Sequence, residues 1–170
     1  LFSYWDEAGI TPDVTTHAKG LGGGAVIGAM LVGERASEVL QFGSHGSTFG
    51  GNPLAASVAR VVLKRLQSKE LMKNVAARGK QLVQGLRDLD KEFGYFKEVR
   101  GRGLMIGAEL AGPWRGKAGD ISETCRKAGV IVLQAGPDVL RFVPPLVITE
   151  KEVAAGLKRL RNVLLTLSPQ

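Results

Sequence analysis

The sequence predicts an α/β fold. Short β-branched and apolar runs alternate with longer stretches of helical period, and glycine, proline and asparagine separate them. The composition agrees, with 44% hydrophobic and 23% charged residues, as in ordinary globular chains.

Taken in order, the opening stretch LFSYWDEAGITPD has neither helical period nor alternation until Val14. It reads as a connection entered partway, so the chain is expected to be the C-terminal part of a longer protein. PDVTTHAK (12–19) is β-branched enough for a strand, and AVIGAMLVG (25–33) is a second short apolar run. The polar loop GSHGSTFGGN (43–52) ends in Asn52 and Pro53, a cap and first-turn pair that starts a helix. Leu54, Val58, Val61, Val62 and Leu66 give that helix its apolar face. A longer helix is predicted over 69–93, with Leu71, Val75, Leu82, Leu86 and Leu89 on one side.

VRGRGLMIGAEL (99–110) reads as one strand with Leu104, Ile106, Ala108 and Leu110 on a common face. A helix near 117–128, a strand GVIVL (129–133) and a strand VLRFV (139–143) follow, the last stopped by Pro144 and Pro145. TEKE (149–152) is a capping box, Thr149 with Glu152, and opens a final amphipathic helix. The expected seam divides 1–92, ending in the long helix, from a small α/β domain over 93–170.

Bulk properties narrow the function. No apolar run is long enough to cross a membrane, and nothing at the start has the pattern of a signal peptide. The single cysteine, Cys125, rules out an internal disulfide and a cysteine metal cluster. Its helical spacing with Ile121 marks a buried structural thiol, and reducing cytoplasm is the default location. A net charge of +7 raises nucleic acid as a partner. The cations Lys64, Arg65, Arg87 and Lys91 nevertheless alternate with Glu70, Asp88, Asp90 and Glu92, and no aromatic ladder interleaves them. Neither nucleic acid, a membrane nor a metal is expected as a partner.

Three places carry candidate chemistry. Lys19 stands between a strand and the glycines of KGLGGG. A phosphate-binding P-loop has its glycines before the lysine, so that order is excluded. What remains is a surface charge, or an amine placed to form a Schiff base with an aldehyde cofactor. Ser47 and Thr48 set two hydroxyls among glycines upstream of a helix start, which suits a phosphate or a plain capping loop. Arg141 shares a strand face with Val139 and Val143. It is either a guanidinium in an apolar setting that needs a carboxylate or phosphate, or a charge reaching solvent. His17 and His45 lack metal-spaced partners and receive no role.

In that order, AKGLGGG (18–24), HGSTFGGNPLA (45–55) and RFVPPL (141–146) together resemble the C-terminal half of the class III aminotransferases of fold type I. The likeness extends over nearly the whole chain and is nearest to the acetylornithine and succinylornithine aminotransferases. It implies a pyridoxal 5'-phosphate enzyme of amino-acid and arginine metabolism that moves the terminal amino group of N-acetylornithine or N-succinylornithine to 2-oxoglutarate. Ornithine or 4-aminobutyrate aminotransferase, or a catalytically silent module of the same fold, are the alternatives. The resemblance makes Lys19 the Schiff-base lysine and Ser47 with Thr48 a phosphate contact reaching the neighbouring subunit of a homodimer. Arg141 becomes the grip on a substrate carboxylate. The family's aspartate on the pyridinium nitrogen, its first phosphate turn and its ring-stacking aromatic have no counterpart in this sequence, so the chain alone is expected to be inactive.

Overall fold

The computed structural model describes residues 8–167. The chain divides into two compact units, Leu1–Gln67 and Ser68–Gln170. Residues 1–7 of the expected entry connection lie outside the described residues.

In the first unit, β1 (Val14–His17) pairs antiparallel with β2 (Ala29–Val32), Val14 opposite Val32 and His17 opposite Ala29. β2 takes up only the end of the 25–33 run, and Val26 is 97% exposed. A 3-10 turn over Lys19–Gly22 follows β1, and a four-residue helix α1 (Glu34–Ser37) follows β2. Helix α2 (Pro53–Leu66) starts where Asn52 and Pro53 predict, with Asn52 Oδ1 accepting from the Ala55 amide at 3.1 Å. Of the expected face, Val58, Val62 and Leu66 are half-buried beside the buried Ala59, whereas Leu54 and Val61 are exposed. Among the described residues of this unit, Ala59 is the one buried hydrophobic side chain.

The second unit is a two-layer α/β structure. Helix α3 (Lys69–Phe93) spans the predicted range. Ser68 Oγ accepts from the Leu71 amide, and Gly94, at φ +68°, ends the helix in the left-handed conformation that favours glycine. Its buried side chains include Leu71, Val75, Leu82, Leu86 and Leu89, the five predicted. The 99–110 segment is not one strand. It belongs to a hairpin of β3 (Phe96–Arg102) and β4 (Met105–Leu110), with Arg102 opposite Met105 and Gly103 at φ +53° in the turn. A two-residue loop that begins on a positive-φ glycine matches strand twist, which explains the reversal. Even so, Leu104, Ile106, Ala108 and Leu110 are all buried.

β4 pairs on its other side with β6 (Val139–Phe142), and β6 pairs with the two-residue β5 (Leu133–Gln134), giving the order β3-β4-β6-β5. All of these pairings are antiparallel. The expected 129–133 strand shortens to its end, with Ile131 exposed and Val132 buried. Helices α4 (Ala118–Lys127) and α5 (Glu150–Thr166) complete the unit. The capping box is present, Thr149 N–H donating to Glu152 Oε2 at 2.8 Å and Glu152 N–H to Thr149 Oγ1 at 3.3 Å.

One core unites the sheet with all three helices, through Leu86, Ile106, Leu140, Cys125 and Leu164 among others. Burying each such large side chain contributes about 1.5–3 kcal/mol. Tyr95 ties the ends of the unit together: it stacks on Trp114 with centroids 4.1 Å apart, and its hydroxyl donates to the carbonyls of Leu164 and Leu167. Packing divides the chain at Gln67/Ser68, because α3 supplies the core that covers β3 and β4. Among the described residues, no helix is long and apolar enough to cross a membrane.

Candidate functional site

Lys19 follows β1 directly and opens the 3-10 turn. Its φ is +47°, and it is the one non-glycine residue with positive φ among those described. A lysine gains nothing locally from that conformation, so the surrounding turn imposes it. The Leu21 amide donates to the Ala18 carbonyl at 3.0 Å, and the Gly23 amide to Gly20 at 3.0 Å, closing the backbone tightly around the residue. The side chain is exposed, and among the described residues its amine has no hydrogen bond or ion pair.

The glycines after it divide into two kinds. A Cβ on Gly22 would stand 2.9 Å from Ile27 Cγ2, and one on Gly23 would stand 2.9 Å from Val62 Cγ2 on α2. These two glycines serve packing. Gly20 and Gly24 face open space, and they are the positions that leave room beside the amine.

Ser47 and Thr48 lie in exposed turns ahead of α2, with Gly50 N–H donating to the Ser47 carbonyl at 3.2 Å. Neither hydroxyl has a partner among the described residues. A free primary amine in an imposed conformation and two unengaged hydroxyls fit an aldehyde and a phosphate, the two reactive ends of pyridoxal phosphate.

Arg141 belongs to the second unit, at the centre of β6. Leu140 and Phe142 on either side are buried and Arg141 is exposed, so its side chain stands on the sheet face away from the helices. Among the described residues the guanidinium has no ion pair. It borders a cleft of about 390 Å³ lined mainly by apolar groups, among them Leu133, Pro144, Ile148 and Leu157.

Beside it lies a charged network that reading along the chain missed. Glu109 on β4 accepts from Lys97 Nζ at 2.9 Å and from Arg100 Nη1 at 2.6 Å, and Arg100 also bonds Glu98 at 2.8 Å. The Lys97 hydrogen bond first, then that from Arg100, holds the Glu109 carboxyl below its usual range. Alternate charges at 98, 100 and 102 were the available signal, but only the hairpin register brings them to Glu109. Cys125 is fully buried, and burial pushes its thiol up to about 11.

Comparison with known proteins follows the same segments. The aminotransferase class-III family profile matches residues 1–164. The acetylornithine aminotransferase of Xanthomonas campestris pv. campestris is 55% identical over 161 residues, which is 95% of this chain and 39% of that protein. The succinylornithine transaminase/acetylornithine aminotransferase of Pseudomonas aeruginosa is 43% identical over 98% of this chain and 41% of its own length. Among solved structures, the N-acetylornithine aminotransferase of Stenotrophomonas maltophilia superposes with a TM-score of 0.85 at 49% identity, covering 95% of this chain and 42% of that one. The chain thus spans about two-fifths of the length of the curated relatives it matches.

Proposed function

Because the chain belongs to the class-III aminotransferases, we propose that it is the lysine-bearing portion of an enzyme that transfers the terminal amino group of N-acetylornithine or N-succinylornithine to 2-oxoglutarate. The products are the N-acyl glutamate semialdehyde and glutamate. The observation that carries this reading is Lys19, with its imposed positive φ, free amine and open space at Gly20 and Gly24. The acylated donors are preferred to free ornithine because the curated relatives described above are named for them.

When bound, pyridoxal phosphate supplies an electron sink that makes the proton on the carbon bearing the donor nitrogen acidic. Lys19 Nζ would hold the cofactor's aldehyde carbon and, as a free base, would take the proton from the donor's δ-carbon. In the second half-reaction the same amine would return a proton to the carbon that becomes C2 of glutamate, whose amino group is the one the donor gave up. Arg141 orients a substrate carboxylate with two parallel N–H bonds, which fix angle as well as distance. Ser47 and Thr48 donate to the phosphate, across the subunit boundary of a cytoplasmic homodimer. The groups for the pyridinium nitrogen and the main phosphate turn belong to the remaining three-fifths of the enzyme, so this chain alone does not turn over.

Replacing Lys19 in the complete enzyme tests the reading. Lys19→Ala should abolish transamination with the fold intact, since the residue is exposed. Borohydride treatment should fix the cofactor to the Lys19 peptide of the wild type, as seen by mass spectrometry, and not to the variant. Turnover by Lys19→Ala at a comparable rate would sink the assignment.

A further inference from the structure

Strand register places Arg141 in a cross-strand row on the outer sheet face: Arg100 on β3, Gly107 on β4, Arg141 on β6, Leu133 on β5. The next row of that face holds Glu98, Glu109 and Val139. Glu109 is therefore the diagonal neighbour of two arginines, Arg100 on one side and Arg141 on the other. Diagonal positions lie about 7–8 Å apart at the backbone, within reach of a glutamate and an arginine. The residue between the two arginines is Gly107, which raises no side chain to keep Glu109 from either.

Glu109 bonds to one side only. Arg100 takes Oε2 and Lys97 takes Oε1, and among the described residues Arg141 has no ion pair. Lys97 reaches it through an irregularity. The register slips between Phe96, opposite Leu110, and Glu98, opposite Glu109, so Lys97 is the extra residue of a β-bulge. Without the bulge Lys97 would oppose Leu110 and point toward the core; with it, Lys97 is exposed and bonds Glu109. Glycine inside a strand weakens it unless something must approach closely. Gly107 has no positive φ, and a Cβ there would lie 3.2 Å from Val139 Cγ1, a tight contact rather than a forbidden one.

We propose that Lys97 and Arg100 are positioning residues that hold Glu109 away from Arg141, keeping Arg141 free for a substrate carboxylate. Freed from Lys97 and Arg100, Glu109 would turn to Arg141, and each incoming carboxylate would have to displace it. The inference rests on the reading of Arg141 as the carboxylate grip, and the test separates the two.

In the complete, cofactor-loaded enzyme, Lys97→Met/Arg100→Met should raise the KM for 2-oxoglutarate, and the Kd of the unreactive dicarboxylate glutarate by calorimetry, about fivefold, as expected for competition by an exposed ion pair. The turnover number should move less than KM. Adding Glu109→Gln should return both constants to wild-type values, which a merely structural role for Lys97 and Arg100 would not allow. Arg141→Lys is the control for the underlying reading and should raise both constants by itself, since lysine loses the planar fork. If Arg141→Lys weakens binding while the double variant changes nothing, or if Glu109→Gln fails to rescue, the proposal is overturned. If Arg141→Lys leaves both constants unchanged, the Arg141 reading fails and this proposal falls with it.

Discussion

Cys125 shows how one side chain can couple stability to pH without any part in chemistry. It packs on α4 beside Ile121, fully buried, and burial lifts the thiol from an ordinary 9.0 to about 11. The unfolded chain ionises first, so between these values the folded state binds more protons. Stability is then complete below pH 9 and declines as pH rises toward 11. The loss over that window should be roughly 2–3 kcal/mol, read from urea unfolding at several pH values. Cys125→Ala should lack this slope, and an equal slope in the variant would rule out the thiol as its source. Below pH 9 the thiol should also resist modification until the unit unfolds. Lys19 is the opposite kind of residue, exposed and conformationally constrained, and its amine is the group that stays available.

Single elements depend on close approaches that only some residues permit. A Cβ on Gly79 of α3 would collide with the carbonyl oxygen of Gly103 in the hairpin turn, which is backbone and cannot rotate away. A Cβ on Gly85 meets the side chain of Leu157 on α5, which can change rotamer. Gly79→Ala should therefore destabilise by about 1–3 kcal/mol despite alanine's better helix propensity, and Gly85→Ala by clearly less. Chemical denaturation of the two variants side by side checks the order. Such contacts also mark the limit of what the sequence makes legible. Local signals placed α3 from its apolar period, α2 from Asn52 and Pro53, and α5 from Thr149 and Glu152. The hairpin was hidden because Leu104, Ile106, Ala108 and Leu110 keep one alternating pattern through the turn, although Gly103 marked its start. Lys19, Ser47, Thr48 and Arg141 were legible as residue types suited to an aldehyde, a phosphate and a carboxylate. The φ of Lys19 and the bonds of Lys97 and Arg100 to Glu109 were not, because a turn and a strand register create them.

Across the whole molecule, the two units differ in how much of their stability they contain. The second unit has a continuous core from Leu82 to Leu164. In the first, Ala59 is the one buried hydrophobic among the described residues, while Val26, Phe42 and Phe49 are at least 80% exposed. Hydrogen exchange on the isolated 170-residue chain should show strong protection in α3, β4 and α5 and little from β1 to α2. The exposed apolar side chains of the first unit should drive association as concentration rises. Equal protection in the two units would contradict this division. The Tyr95 clamp and the α5 face of Val153, Leu160, Val163 and Leu164 bear on synthesis as well. The ribosome makes α3 and the sheet strands before the helix that seals them. Until α5 has emerged, Leu86, Ile106 and Leu140 lack part of their cover, and the nascent chain carries an unsealed sheet. This unit must therefore close late, once α5 has left the exit tunnel, and until then it is most open to capture by chaperones or by other nascent chains.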